Sequence, residues 1–228
     1  MIVVIPSVNY ADFLAVTLPA WQQALPTATI RVVTSRTDTE THRVCRETGM
    51  EPYQTDAWTA DGATLNKAKA LDEAFAVAAP GELCLSIDAD CYPCGTFPAE
   101  DTFAPDVLYG CVRYLCMSVA DLHAHLDGRT PREALPLMGH RLERTGYGLV
   151  ANTPAQVRRL AAEGPGYFKA WRYSDRRFGS FRTAGAYDSA FAAKFADKRP
   201  IVEFYVLHLG PSRGKNWAGR KVPPWVTT

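Results

Sequence analysis

The run Glu82-Leu83-Cys84-Leu85-Ser86-Ile87-Asp88-Ala89-Asp90 leaves few folds open to this chain. Its apolar middle reads as a short, fully buried strand that delivers two carboxylates, Asp88 and Asp90, at its C-terminal end. Open α/β sheets hold their ligands at that edge. Two acids one residue apart, where a strand gives way to a loop, suit a hard divalent cation that also holds phosphate oxygens. Such a cation can offset the charge that builds on a leaving pyrophosphate. An Asp-x-Asp is also a common surface turn whose acids cap backbone amides. The apolar strand before it and the alternation upstream favour the metal–phosphate reading.

That alternation fills the first 90 residues with three and a half βα units. Ile2–Ile5 reads as a strand, followed by a loop Pro6-Ser7-Val8-Asn9 and a helix from about Tyr10 to Leu25. Thr29–Thr34 is a second strand. Asp38 stands at an N-cap position before a helix over Thr39–Thr48, which Gly49 ends. Glu51–Thr55 is a short third strand, and Leu65–Ala78 is the clearest helix, stopped by Pro80-Gly81. The pattern predicts an α/β fold with a mostly parallel central sheet flanked by helices. Beyond Asp90 the rhythm changes: strand Asp106–Cys116, short helix Val119–Leu126, strand Gly146–Ala151, and a helix from Thr153-Pro154 to about Glu163. A long connection, Gly164–Gly185, precedes helix Tyr187–Phe195, strand Ile201–Leu207 and a basic tail from Gly210.

The chain has 228 residues, enough for one large domain or two merged subdomains. No stretch approaches a membrane span. It opens on a strand without a leader, so the expected location is cytoplasmic, with the six cysteines as free thiols. Cys91-x-x-Cys94 with Cys111 and Cys116 has zinc-ribbon overtones, but the second pair is too widely spaced, and buried thiols fit better. The net charge of +1 hides an asymmetry. Residues 1–110 carry 6 basic and 15 acidic side chains (net −9), whereas residues 111–228 carry 19 and 9 (net +10). Such a split hints at a polyanionic partner for the basic half.

With these elements placed, the chain resembles the GT-A-fold glycosyltransferases, in particular the family-2-type and β-1,4-galactosyltransferase-type enzymes. Leu65-Asn66-Lys67-Ala68-Lys69-Ala70-Leu71-Asp72 is similar to that family's Phe-Asn-Arg-Ala-Lys-Leu-Leu-Asn. Asp88-Ala89-Asp90 with Pro93 is similar to its Asp-Val-Asp before a proline. His208-Leu209-Gly210-Pro211-Ser212-Arg213 is similar to its late His-Ser-Arg or His-x-Gly segment, and Ala186-Tyr187-Asp188 to its acidic motif before a helix. The chain departs at Tyr187, where a first acid is usual.

The resemblance implies a metal-dependent, inverting transfer of a sugar from a nucleotide-diphosphate donor, with a UDP-sugar favoured and Mn²⁺ or Mg²⁺ as the ion. Residues 1–110 would form the donor and metal subdomain and residues 111–228 the acceptor subdomain, merged into one GT-A domain. Asp90, Asp88 and His208 are then the expected metal ligands, with Asp88 also reaching ribose and sugar. Asp188 is the expected general base. Donor contacts fall to Pro6, Ser7, Val8, Thr34, Ser35, Asp38, Asn66, Lys67 and Ala89. Each has a plainer alternative: a rim histidine, a helix-terminus acid, polar loops after strands, a lysine on a solvated helix face.

The segment 167–182 interleaves cations with aromatic rings, a mixture that holds nucleotides by stacking and phosphate contacts. On that basis Trp171, Arg172, Arg176 and Arg177 are expected at the acceptor, and DNA with a hydroxylated base is narrowly preferred over a carbohydrate or lipid-linked sugar. Two rivals stand beside this reading. A sugar nucleotidyltransferase normally has glycines and a base after the first strand, which Pro6-Ser7-Val8-Asn9-Tyr10 does not. A non-catalytic nucleic-acid-binding module would have no use for the set Asp88, Asp90, Asp188 and His208.

Overall fold

The structure, a computed structural model, describes residues 1–116, 118–135, 166–182 and 187–210. The first half follows the alternation of the sequence: β1 (Ile2–Pro6), α1 (Ala11–Ala24), β2 (Thr29–Thr34), α2 (Thr39–Glu47), β3 (Tyr53–Gln54), α3 (Lys67–Phe75) and β4 (Leu83–Ile87). β1 and β4 are buried at every position, as their unbroken apolar runs require. α1 buries Phe13, Leu14, Thr17, Leu18 and Trp21, one stripe at helical spacing. α2 starts where the Asp38 carboxylate accepts the Thr41 amide, and α3 where the Asn66 side chain accepts the Lys69 amide. These caps satisfy donors that the first turn leaves orphaned.

After Asp90 come β5 (Cys91–Gly95), β6 (Val107–Cys116), α4 (Val119–Leu126), β7 (Phe168–Arg172), α5 (Tyr187–Ala192) and β8 (Asp197–Leu209). All eight strands join one sheet in the order β3-β2-β1-β4-β7-β6-β8-β5. Four of its seven pairings are parallel and three, all involving β5 or β7, are antiparallel. One core lies between the sheet and α1–α2, built on Leu14, Leu18, Trp21, Leu85 and Phe168. A second lies on the opposite face against α3 and α5, built on Leu71, Phe75, Trp171, Phe178 and Phe191. No helix among the described residues is long and apolar enough to cross a membrane.

Three differences from the sequence reading matter. β5 was not expected, because Pro93 argues against a strand; it is accommodated because β5 sits at the sheet edge, where a missing amide breaks no central ladder. β8 is longer than Ile201–Leu207, and its register against β6 slips between Cys111 and Val112. β7 lies inside what the sequence presents as a long connection. The expected strand 146–151, the helix 153–163, Gly185 and the tail beyond Gly210 fall outside the described residues.

β7 also corrects the expected acceptor surface. It runs antiparallel to β4, with Phe168 opposite Ile87 and Arg172 opposite Leu83. The strand therefore leaves the Asp88 end of the sheet and delivers Trp171 and Arg172 to the other edge. Trp171 is 1% exposed, with the rings of Phe75, Phe178 and Phe191 at centroid distances of 4.9–5.6 Å. No base can stack on it without opening the core. Trp171→Ala should therefore destabilise the fold by about 3–5 kcal/mol, read as a drop in the urea midpoint, whereas a surface stacking residue would leave the midpoint within about 0.5 kcal/mol of the parent.

Candidate active site at the carboxyl edge of the sheet

The parallel ladder β3-β2-β1-β4 brings the ends of four strands to one edge, and the Asp-Ala-Asp turn crosses it. The carbonyls of Ala89, Asp90 and Cys91 are each taken by a donor from elsewhere, and Asp88 O by the Cys91 amide at 3.1 Å. Thr17 Oγ1 donates to Ala89 O at 2.7 Å and Trp21 Nε1 to Cys91 O at 2.8 Å, both from α1. The Leu209 amide donates to Asp90 O at 2.8 Å from β8, while the Asp88 amide itself donates to Tyr167 O at 2.9 Å. A backbone held on every side has no freedom to re-aim its side chains, so Asp88 and Asp90 project in fixed directions.

Asp90 is buried and meets His208, whose Nε2 lies 3.3 Å from Asp90 Oδ2. The pairing follows from sheet register, since His208 of β8 lies opposite Cys91 of β5. His208 Nδ1 lies 3.1 Å from Gly210 O. A carbonyl only accepts, so Nδ1 carries the hydrogen. Nε2 then faces the Asp90 carboxylate either as an imidazolium donor or, when neutral, as a lone pair opposing lone pairs across a gap that favours a cation.

Asp88 points to the α3 side. Its Oδ1 accepts a short hydrogen bond from the Lys67 ammonium on the first turn of α3. Burial raises the Asp88 carboxyl above the usual range; Lys67 pulls it down, and Asp90 and Asp188 push it up again. Burial would lower Lys67, yet Asp88, then Tyr187 and Asp188, hold its ammonium well above the ordinary lysine range. Asp188, on the first turn of α5, is therefore close enough to act on this pair. Its Oδ1 accepts from Lys169 Nζ at 2.7 Å. Lys67 and Lys169 both lie over the Tyr187 ring, at 5.5 and 6.0 Å from its centroid.

A cleft of about 450 Å³ opens beside these groups. Of the expected donor contacts, Pro6, Val8, Lys67, Asp88 and Ala89 line it together with Asp90. Tyr10 and Trp58 line it as well, and sequence reading did not single them out. Ser7, Thr34, Asp38 and Asn66, also expected at the donor, are buried with their side chains bonded inside the protein. Asp38 accepts from the Asn9 amide at 2.8 Å, from Thr34 Oγ1 and from Thr41, so it ties the loop after β1 to α2. Ser7 Oγ pairs with Thr41 Oγ1 at 3.2 Å. Asn66 holds the Lys69 and Phe181 amides and Ser180 Oγ. Ser35 is half-buried, with its hydroxyl 3.3 Å from Thr37 Oγ1. These side chains shape the loops; they do not face the cleft.

The arginines expected at the acceptor are likewise occupied. Arg172 donates to the carbonyls of Phe103, Gly81 and Glu100. Arg176 bonds Asp106 at 2.7 Å and covers Phe195, and Arg177 donates to Ser174 O and covers Tyr173. The cation–aromatic alternation is internal stacking at the far edge of the sheet. The six cysteines are buried and free, and burial pushes each thiol up, Cys84 and Cys94 to about 12. Among the described residues no three His, Cys, Asp or Glu side chains gather as a preformed metal cage, so there is no zinc cluster there.

Fold and site together define an α/β protein with a cleft lined by two carboxylates and a lysine at the carboxyl edge of its sheet, one of the carboxylates backed by an imidazole. No protein-family model matches the chain, and no curated protein matches it in sequence. Among solved structures it is similar to the mannosyltransferase PcManGT from Pyrobaculum calidifontis, determined in complex with GDP-Man and Mn²⁺: TM-score 0.46, 20% identity, 93% of this chain covered. It is also similar to the galactosyltransferase LgtC, both as an active-site mutant (TM-score 0.31, 16% identity, 51% of this chain) and with donor and acceptor sugar analogues bound (TM-score 0.30, 17% identity, 50% of this chain). The chain spans 57% of the mannosyltransferase and 46% of each LgtC chain.

The clamp on the Asp-Ala-Asp turn has a measurable consequence. Thr17→Val keeps the shape of the side chain but leaves Ala89 O without its donor, and should lower stability by about 1–3 kcal/mol in urea denaturation. Thr17→Ser, which keeps the hydroxyl, should lose less than half of that.

Proposed function

We propose that this protein is a metal-dependent GT-A-type glycosyltransferase that moves a sugar from a nucleotide-diphosphate donor to an acceptor hydroxyl with inversion. The observation that carries the reading is a cleft lined by Asp88, Asp90 and Lys67, with His208 against Asp90 and Asp188 close to the Asp88–Lys67 pair. A structural turn would have no reason to aim two carboxylates at an imidazole and a lysine.

The residues present fit a divalent ion. Asp90 and His208 face each other, and neutral His208, with its Nδ1 hydrogen on Gly210 O, offers its Nε2 lone pair to an ion between them. A carboxylate with an imidazole suits a first-row ion such as Mn²⁺ better than Mg²⁺, which prefers oxygen alone. When bound, such an ion offsets charge on the departing diphosphate. Asp90 and His208 would hold such an ion, with Asp88 engaged by Lys67.

The chain's own groups supply the rest. Lys67, at the start of α3, meets anionic oxygen, and Asp88 reaches hydroxyls of the donor. Pro6, Val8, Tyr10 and Trp58 form an apolar and aromatic wall that limits water. Asp188 takes the acceptor proton as the acceptor oxygen bonds to the anomeric carbon and the carbon–phosphate oxygen bond breaks in line, releasing the nucleoside diphosphate. With Trp171, Arg172, Arg176 and Arg177 turned away from this edge, a DNA acceptor is supported only by the basic balance of residues 111–228, and the acceptor is proposed as a hydroxyl group.

The test is a panel of UDP- and GDP-hexoses with Mn²⁺ or Mg²⁺, scored for slow donor hydrolysis. One donor should release nucleoside diphosphate with Mn²⁺, less with Mg²⁺ and none with excess chelator; hydrolysis unaffected by chelator would sink the metal reading. Asp90→Ala should abolish Mn²⁺-dependent affinity for the nucleoside diphosphate in calorimetry with the fold retained. Asp188→Asn should slow turnover about 10²–10⁴-fold at near-parental donor affinity; parental turnover would leave Asp188 as a helix-terminus residue.

A further inference from the structure

Lys169 is the largest fully buried charged side chain among the described residues, 1% exposed on a strand whose other buried positions are Phe168, Ala170 and Trp171. An ammonium in that position is costly unless paired, and buried ion pairs add little stability that apolar side chains could not supply. Its direction is set by register. Lys169 lies opposite Ser86, two residues before Asp88, on the sheet face that carries α3 and α5. Its Nζ reaches Asp188 Oδ1 at 2.7 Å, while the Asp188 side chain remains 23% exposed. The other carboxylate oxygen is confined too. A Cβ at Gly166 would fall 2.2 Å from Asp188 Oδ2, so the carboxylate fills a slot that exists only because residue 166 has no side chain.

We propose that Lys169 and Gly166 position Asp188, Lys169 by gripping one carboxylate oxygen and Gly166 by making room for the other. The inference rests on Asp188 being the base. It adds that β7 and the turn before it, far from α5 in the chain, set where that base stands. The grip turns a mobile rotamer into a group held at one point beside Asp88 and Lys67.

The experiment uses the full chain, Mn²⁺ and the hexose nucleotide that the panel finds hydrolysed, with water as the acceptor. Lys169→Met removes the grip; Gly166→Ala keeps every charge and crowds Oδ2. Each is expected to lower kcat about 10- to 100-fold, the scale of an ångström-size misplacement, with KM and the calorimetric affinity for the nucleotide sugar within about twofold of the parent. Each is expected to lose nothing further in an Asp188→Asn background. A merely structural role predicts instead that donor affinity falls in step with kcat, or that the losses add fully to that of Asp188→Asn; either result overturns the proposal. If Asp188→Asn keeps its kcat, the base assignment fails and the positioning role with it. If Asp188→Asn is slow while Lys169→Met and Gly166→Ala turn over normally, the base stands and the positioning role alone is wrong. Should Lys169→Met not fold, Gly166→Ala decides by the same criteria.

Discussion

Four hydrogen bonds around the Asp-Ala-Asp turn hold the site together. A turn buried at a sheet edge must satisfy its carbonyls and amides or lose stability with each one left bare. Here Thr17 and Trp21 of α1, Leu209 of β8 and the carbonyl of Tyr167 before β7 do so. These partners come from three separate parts of the chain, so the turn is where α1, the last strand and the residue entering β7 are joined. The rest of the site is a consequence: once residues 88–91 are clamped, Asp90 must face β8 and Asp88 must face α3.

The two acids both line the cleft but take their partners from different sides of the sheet. Asp90 belongs with His208 on the side packed by α1, and its partner is an imidazole with a fixed tautomer. Asp88 belongs with Lys67, Tyr187, Asp188 and Lys169 on the side packed by α3 and α5, where two ammoniums lie over one ring and each bonds a carboxylate. Neighbouring like charges in such a low-dielectric setting would repel strongly if the opposite charges did not separate them. The neighbouring carboxylate keeps Lys67 charged despite burial, and each ammonium of the group is matched by a carboxylate.

The segment 167–182 shows how one composition can serve two ends. Its first residues cross the sheet and place Lys169 near Asp188, and its arginines tie carbonyls and cover rings at the opposite edge. It then returns along α3, with the Phe178 and Gly179 amides on Asp72 and the Phe181 amide on Asn66. The segment thus braces α3 along its length and fixes the end of the helix that carries Lys67.

Much of the first 90 residues was legible in the chain because the forces there are local. Apolar runs bounded by Pro, Gly and capping acids made β1, α1, β2, α2, α3 and β4 readable to within a few residues, and the Asp-Ala-Asp at the end of β4 was visible as a carboxylate pair at a ligand-bearing edge. Sequence alone also singled out His208 and Asp188, although nothing local placed the one beside Asp90 and the other beside Lys169. The first meeting is a matter of strand order and register, set by a β5–β8 pairing between residues more than a hundred positions apart, and the second depends on how α5 packs on the β7 face of the sheet. The same applies to the errors. Trp171 and the arginines read as a binding surface because an aromatic–cation run looks alike whether it faces solvent or core; only the antiparallel pairing of β7 with β4 decided that it faces inward. Asp38 and Asn66 looked like ligand contacts because a capping side chain and a ligand-binding one share the same chemistry, and burial chose between them. Residue type and spacing determined which chemistry this chain could perform, and the sheet's long-range pairings decided which copies of each residue stand where that chemistry is possible.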